Sequence, residues 1–126
     1  MSTVKTNEIR HTDGTTTTEP SIPALDQRMA KAWVQFGGAA QTVLASYNIS
    51  SVTDTGLGRG NVNFATAMPD TNYAVASHTE DGSGFNDDPV ITREATQSRT
   101  TTQFGYNTFM NANANDVIDA SLIFFR

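Results

Sequence analysis

From Met29 onward the large apolar residues fall at alternate positions, and no segment carries a sustained apolar stripe at helical spacing. Ala32, Val34 and Phe36 share one side of a segment whose other side is Lys31, Trp33 and Gln35. A period of two gives each segment a single apolar face, and such faces are buried by laying one sheet over another. Ala24–Ala32 is the single helical candidate, and its apolar spacing is irregular. The expected fold is therefore all-β.

The punctuation of the chain predicts about seven or eight short strands. Gly37-Gly38 ends the first. One strand is expected through Val43–Ser50, with Val43, Ala45, Tyr47 and Ile49 alternating with Leu44, Ser46, Asn48 and Ser50. Gly56, Gly58 and Gly60 read as turn glycines of a hairpin-like loop inside Asp54–Asn61. Val62 and Phe64 mark the next strand, Met68-Pro69-Asp70 a turn, and Tyr73 and Val75 the strand after it. His78–Pro89 reads as a long polar loop, and loops of that length in small domains are often functional. Val90–Arg93 is a short strand, Arg99–Phe109 a strand broken at Gly105, and Asn111–Asn115 a loop. Val117–Phe125 closes the chain, with Ile118, Ala120, Leu122 and Phe124 on one face and Ile123 and Phe125 opposite, so burial on both sides or a subunit contact is expected. This pattern predicts a small antiparallel β-sandwich of Greek-key-like type over residues 29–126.

Residues 1–28 differ in character. Val4, Ile9 and Ile22 are scattered among polar residues, the Thr15–Thr18 run follows the turn signal Asp13-Gly14, and Pro20 and Pro23 flank Ser21-Ile22. A segment of this kind buries little alone and stays extended. It is read as an N-terminal attachment arm that orders against a partner, with Val4, Ile9 and Ile22 as its anchors. Met1–His11 is polar, so no secretory leader is expected, and the apolar run Leu122–Phe125 is too short to span a bilayer.

Hydrophobic residues make up 37% of the chain, low enough that part of the burial is expected between subunits of a symmetric oligomer. A net charge of −5 with no cluster of Lys and Arg argues against nucleic acid or anionic membranes as partners. The absence of cysteine removes disulfides, thiolate metal sites and thiol nucleophiles. Only His11 and His78 are available, and no Gly-x-Ser-x-Gly turn accompanies them, so no catalytic residue is assigned and the chain is not expected to be an enzyme. The acidic loop holds Glu80, Asp81, Asp87 and Asp88 beside Phe85 and Asn86, without the ligand spacing of an EF-hand. No metal and no cofactor are assigned. Glu80, Asp81, Phe85, Asn86, Asp87 and Asp88, with Asn111 and Asn113, are the candidate receptor-contacting loop residues. Trp33 lies on the polar side of its strand and reads as a core or subunit-contact residue, or alternatively as a platform for a sugar.

Three stretches carry a likeness. Lys31–Gly37 (KAWVQFG) followed by Val43–Gly56 (VLASYNISSVTDTG), and Gly60–Ser77 (GNVNFATAMPDTNYAVAS), together resemble a core motif of phage tail-fibre and related virion proteins, especially of marine and cyanobacterial phages. The segment Val4–Pro20 is similar to the short strand-turn piece that precedes such domains. The resemblance implies a β-sandwich assembling as a homotrimer, with variable loops facing a host surface. It also implies that Trp33, Phe36, Tyr47, Phe64 and Tyr73 supply apolar packing. A chain this short, without shaft repeats, departs from a full fibre. The expected function is a virion structural protein, a short tail fibre or receptor-facing adhesion domain attached to the tail or baseplate and assembled in the host cytoplasm. Its partners would be itself, other virion proteins and a host surface glycan or protein. A capsid decoration protein is the alternative, and a polysaccharide-degrading tail enzyme a third reading for which the residues give little support.

Overall fold

The computed structural model describes residues 28–37, 40–80, 90–92, 99–110, 113–114, 116 and 119–126, and these form an all-β sandwich of two antiparallel sheets. The strands are β1 (Ala30–Gly37), β2 (Thr42–Tyr47), β3 (Ile49–Gly56), β4 (Arg59–Phe64), β5 (Ala74–Glu80), β6 (Val90–Thr92), β7 (Gln103–Met110), β8 (Asn113–Ala114) and β9 (Asp119–Phe125). Sheet A runs β2-β1-β9-β5 and sheet B runs β3-β4-β7-β6, with β8 pairing β7. Neighbours distant in sequence, β1 beside β9 and β4 beside β7, give the crossed connectivity expected of a Greek-key-like sandwich. The proposed arm, with Val4, Ile9 and Ile22, lies outside the described residues.

Alternation builds the core as the sequence predicts. Ala32, Val34 and Phe36 of β1 pair across to Phe124, Leu122 and Ala120 of β9, and all six side chains are buried. Sheet B lays Val62, Phe64, Phe104 and Tyr106 over them. Phe124 is the hub, making edge-on contacts with Phe64, Tyr73 and Phe104 at ring-centroid distances of 5.0, 5.9 and 5.5 Å. Edge-to-face packing places the positive rim of one ring on the negative face of the next, which adds to the gain from burial. At the other end of the core Phe36 packs against Tyr106 at 5.2 Å.

Four local expectations are corrected. Val43–Ser50 is not one strand: the chain turns at Asn48, whose φ is 55°, so β2 belongs to sheet A and β3 to sheet B. Asn suits this left-handed corner because its short amide tolerates the conformation and bonds locally. Its Nδ2 donates to the carbonyls of Lys31 at 3.0 Å and Thr66 at 3.2 Å, its Oδ1 accepts from Thr66 N at 2.7 Å, and its own carbonyl accepts from Ala65 N at 3.1 Å. One residue thus ties both sheets to the β4–β5 connection. Gly60 is not a turn glycine but a buried residue of β4; the turn is Leu57-Gly58, flanked by Gly56 and Arg59. Gly105 does not break β7, which runs unbroken through it. His78 does not head a loop, since β5 continues through it to Glu80.

Asn48→Ala is expected to cost about 2 kcal/mol, from lost hydrogen bonds and the strain of a left-handed alanine. Asn48→Gly, which relieves only the strain, should recover about half of that. Urea unfolding of the two variants separates the terms.

Candidate functional site

The outward face of sheet A is assembled from strands far apart in sequence. Pairing aligns Tyr47 with Trp33, Trp33 with Ile123, and Ile123 with Ala76, making one apolar row across all four strands. Beside it, Phe125 pairs with Ala74. On the other flank lies a polar row of Gln35, Ser121 and His78, completed by Ala45. Trp33, Tyr47 and Ile123 are 38%, 42% and 38% exposed. Of the residues expected to supply apolar packing, Phe36, Phe64 and Tyr73 are buried in the sandwich, whereas Trp33 and Tyr47 face outward.

Among the described residues the row ends at a sheet edge. Every residue of β2 is exposed, on both faces of the strand, and Val43 and Leu44 are among the exposed large apolar residues. The β1–β2 register slips between Gln35 and Phe36, the bulge that sits beside Leu44. Residues 36–53, which include the whole of β2, contain no charged residue. Native edges are normally guarded by charge or proline; this one has a bulge and neither of those guards.

The receptor-loop residues are placed as follows. Glu80 is exposed at the end of β5, opposite Asp119, and not in a loop. Asn113 is exposed but lies in β8, paired with Met110, so the expected Asn111–Asn115 loop contains a short strand. Asp81, Phe85, Asn86, Asp87, Asp88 and Asn111 lie outside the described residues. Glu80 and Asn113 belong to different sheets and are not brought together. Among the described residues no group of three His, Asp or Glu side chains could hold a metal ion, and no helix is long and apolar enough to cross a membrane.

Period two assigns Trp33 to an outward face, but nothing in the sequence states that Ile123, ninety residues on, lies beside it. That depends on β1 pairing β9, a long-range choice without a local signal. Similarly, the corner at Asn48 puts β2 at the edge of sheet A and β3 in sheet B.

The polar knot at the opposite end of the sandwich is structural. Gln41, at φ 50° and buried, accepts a hydrogen bond from the Tyr106 hydroxyl and donates to the Arg59 carbonyl at 3.0 Å and to Asp54 Oδ1 at 3.3 Å. Burial pushes the Tyr106 phenol far up, with the charges of Asp54 and Asp116 adding to the effect, so it acts as a fixed donor. Asp116 in turn accepts from Gly58 N at 2.8 Å.

No family model matches the chain, and no curated protein or solved structure matches it.

Proposed function

We propose that the chain is a non-catalytic structural part of a phage virion: a short tail-fibre or receptor-facing domain, attached at the tail or baseplate through residues 1–28 and working as a homotrimer. The observation that carries the reading is the aromatic outward face of sheet A running into an uncharged edge strand. A sandwich needs to bury only one face of each sheet, so an apolar row on the second face asks for another partner. A chain with net charge −5 meets copies of itself with least repulsion where it carries no charge, and residues 36–53 are such a stretch. Weak contacts to a host surface, repeated over three chains, then add up through avidity without a deep site on each.

Light scattering is expected to give a mass three times the 13.6 kDa of one chain. The double variant Trp33→Glu/Tyr47→Glu should weaken association by about 30-fold or more, as expected for loss of interface anchors. Its unfolding midpoint as a monomer should change little, because both side chains are outside the core. A monomeric wild type at micromolar concentration would sink the trimer. Cryo-electron localisation on intact particles should place the chain at the distal tail or baseplate; density over the head would make it a decoration protein instead.

A further inference from the structure

The two sheets do not close evenly. On the side where β5 and β6 form the edges, a cleft of about 350 Å³ opens, walled by Tyr73, Val75, Ser77, Ile91, Arg99 and Phe104. Ser77 belongs to the inward-facing set of β5, opposite buried Leu122, yet it is exposed because nothing described in sheet B covers it. Among the described residues the cleft lies between the edges of the two sheets, with Tyr73 and Phe104 of the aromatic core in its wall.

Among the described residues of this wall, Arg99 is the charged one. Its guanidinium carbon sits 4.5 Å from the centroid of the Tyr73 ring, and its Nε is buried without a hydrogen-bond partner. The position is held from two sides. Arg99 forms a bridge with Phe104 across a tight turn, in which the Thr100 hydroxyl accepts from Gln103 N at 3.0 Å and Thr102 N at 3.2 Å. The Tyr73 hydroxyl reaches the carbonyls of Thr100 at 3.1 Å and Gln103 at 3.2 Å, fixing the ring beneath the guanidinium to the same turn. The ring on one side and the turn on the other hold the guanidinium in place at the cleft wall. A preset guanidinium is matched best by a planar oxyanion that takes two of its N–H groups.

We propose that this cleft binds the carboxylate of an acidic sugar, with Arg99 as the carboxylate-binding residue. The remaining walls favour a sugar acid over a bare anion. Val75, Ile91 and Phe104 offer apolar surface to the C–H face of a pyranose, and Ser77 offers a hydroxyl at the rim. The volume suits one sugar ring rather than a chain. Under the virion reading, this would be the part of a host surface glycan that the domain recognises. The binding itself is a property of the isolated domain and does not depend on that reading.

The test is titration of the full chain with methyl glucuronide, followed by NMR shifts of the methyl groups of Val75 and Ile91, with methyl glucoside and acetate as controls. Saturable millimolar binding of the glucuronide is expected, about tenfold weaker or worse for both controls. Arg99→Gln should lower affinity by about tenfold or more, and Arg99→Lys by less, since it keeps charge but not the fork. Should Arg99→Gln fail to fold, Ser77→Trp fills the cleft without touching the arginine and should also abolish binding. No binding, equal binding of the neutral glucoside, or binding unaffected by both variants would overturn the proposal. So would tighter binding of a short peptide carboxylate, which would assign the cleft to a protein end. A monomeric chain would defeat the trimer, and a head location the tail-fibre reading, while leaving this result standing, and a failed titration would leave the localisation untouched.

Discussion

Phe124→Ala is expected to lower the unfolding free energy by about 3–5 kcal/mol. Phe124 is fully buried and touches Phe64, Tyr73 and Phe104 edge-on, so its removal leaves a cavity bordered by three rings from two sheets. Those rings are not free to collapse into it. Tyr73 is tethered by its hydroxyl to the turn at Thr100 and Gln103, and Phe104 is fixed in register opposite Val62. Incomplete relaxation is what moves large-to-small substitutions toward the costly end of their range. For a domain near 100 residues the loss corresponds to a fall of about 15 °C or more in Tm. Phe125→Ala, one residue further along and only half-buried, is the control and should cost less than half as much. Calorimetry of the pair checks both. Equal effects at the two positions would mean that β9 is buried on both faces.

The second large effect is expected at Gly60. A Cβ built there would approach the Tyr106 hydroxyl to 2.5 Å and the ring carbon bearing it to 2.8 Å, and would also strike Gln41 Oε1. None of these atoms is the loose end of an exposed side chain. Tyr106 is buried against Phe36, and Gln41 is held by Asp54 and the Arg59 carbonyl. Gly60→Ala should therefore cost about 3 kcal/mol, near the top of the range for overpacking. Tyr106→Phe removes the nearest atom of the ring but leaves Gln41 without its donor, a loss of about 1 kcal/mol. Combined, the two substitutions should cost less than their sum by about 1 kcal/mol, because the second removes part of what the first collides with. Strict additivity in urea unfolding would show that the clash is relieved by backbone movement rather than by the hydroxyl.

The sandwich was legible because its inward faces obey the simplest rule available. Ala32, Val34 and Phe36, Val62 and Phe64, and Ala120, Leu122 and Phe124 alternate with polar or exposed neighbours, and each set is buried as the period predicts. What failed were positions where a residue serves a neighbour in space. Asn48 looks like one more polar member of an alternating strand, yet it is the corner between sheets, because its amide satisfies three backbone groups from two other segments. Gly60 looks like one of three turn glycines, yet it is a contact position for a tyrosine forty-six residues away. Gly105 lies inside β7 without breaking it, since both its neighbours stay in register opposite β4. Arg99 gives no sign of its setting in the sequence, since a single arginine between polar residues carries no spacing signal. Its setting arises from a turn and a ring that only the fold brings together.

The pairing of β1 with β9 also governs when this domain can exist at all. Among the described strands of sheet A the earliest in sequence is hydrogen-bonded to the latest, and β9 stands between β1 and β5. A nascent chain that has emerged only through β7 therefore lacks β9, which pairs with β1, and Val34 and Phe36 are without Leu122 and Ala120 beside them. Contacts spanning such a separation are slow to form, because the loop must close before it is rewarded. Residues 119–125 act as the keystone: until they leave the ribosome, β1 and β5 have no common neighbour. Any sister-chain contact through Trp33 and Ile123 must wait as well, because the row they form does not yet exist. If the chain assembles as proposed, folding of the domain comes before assembly, and the order of synthesis is a timer that separates the two.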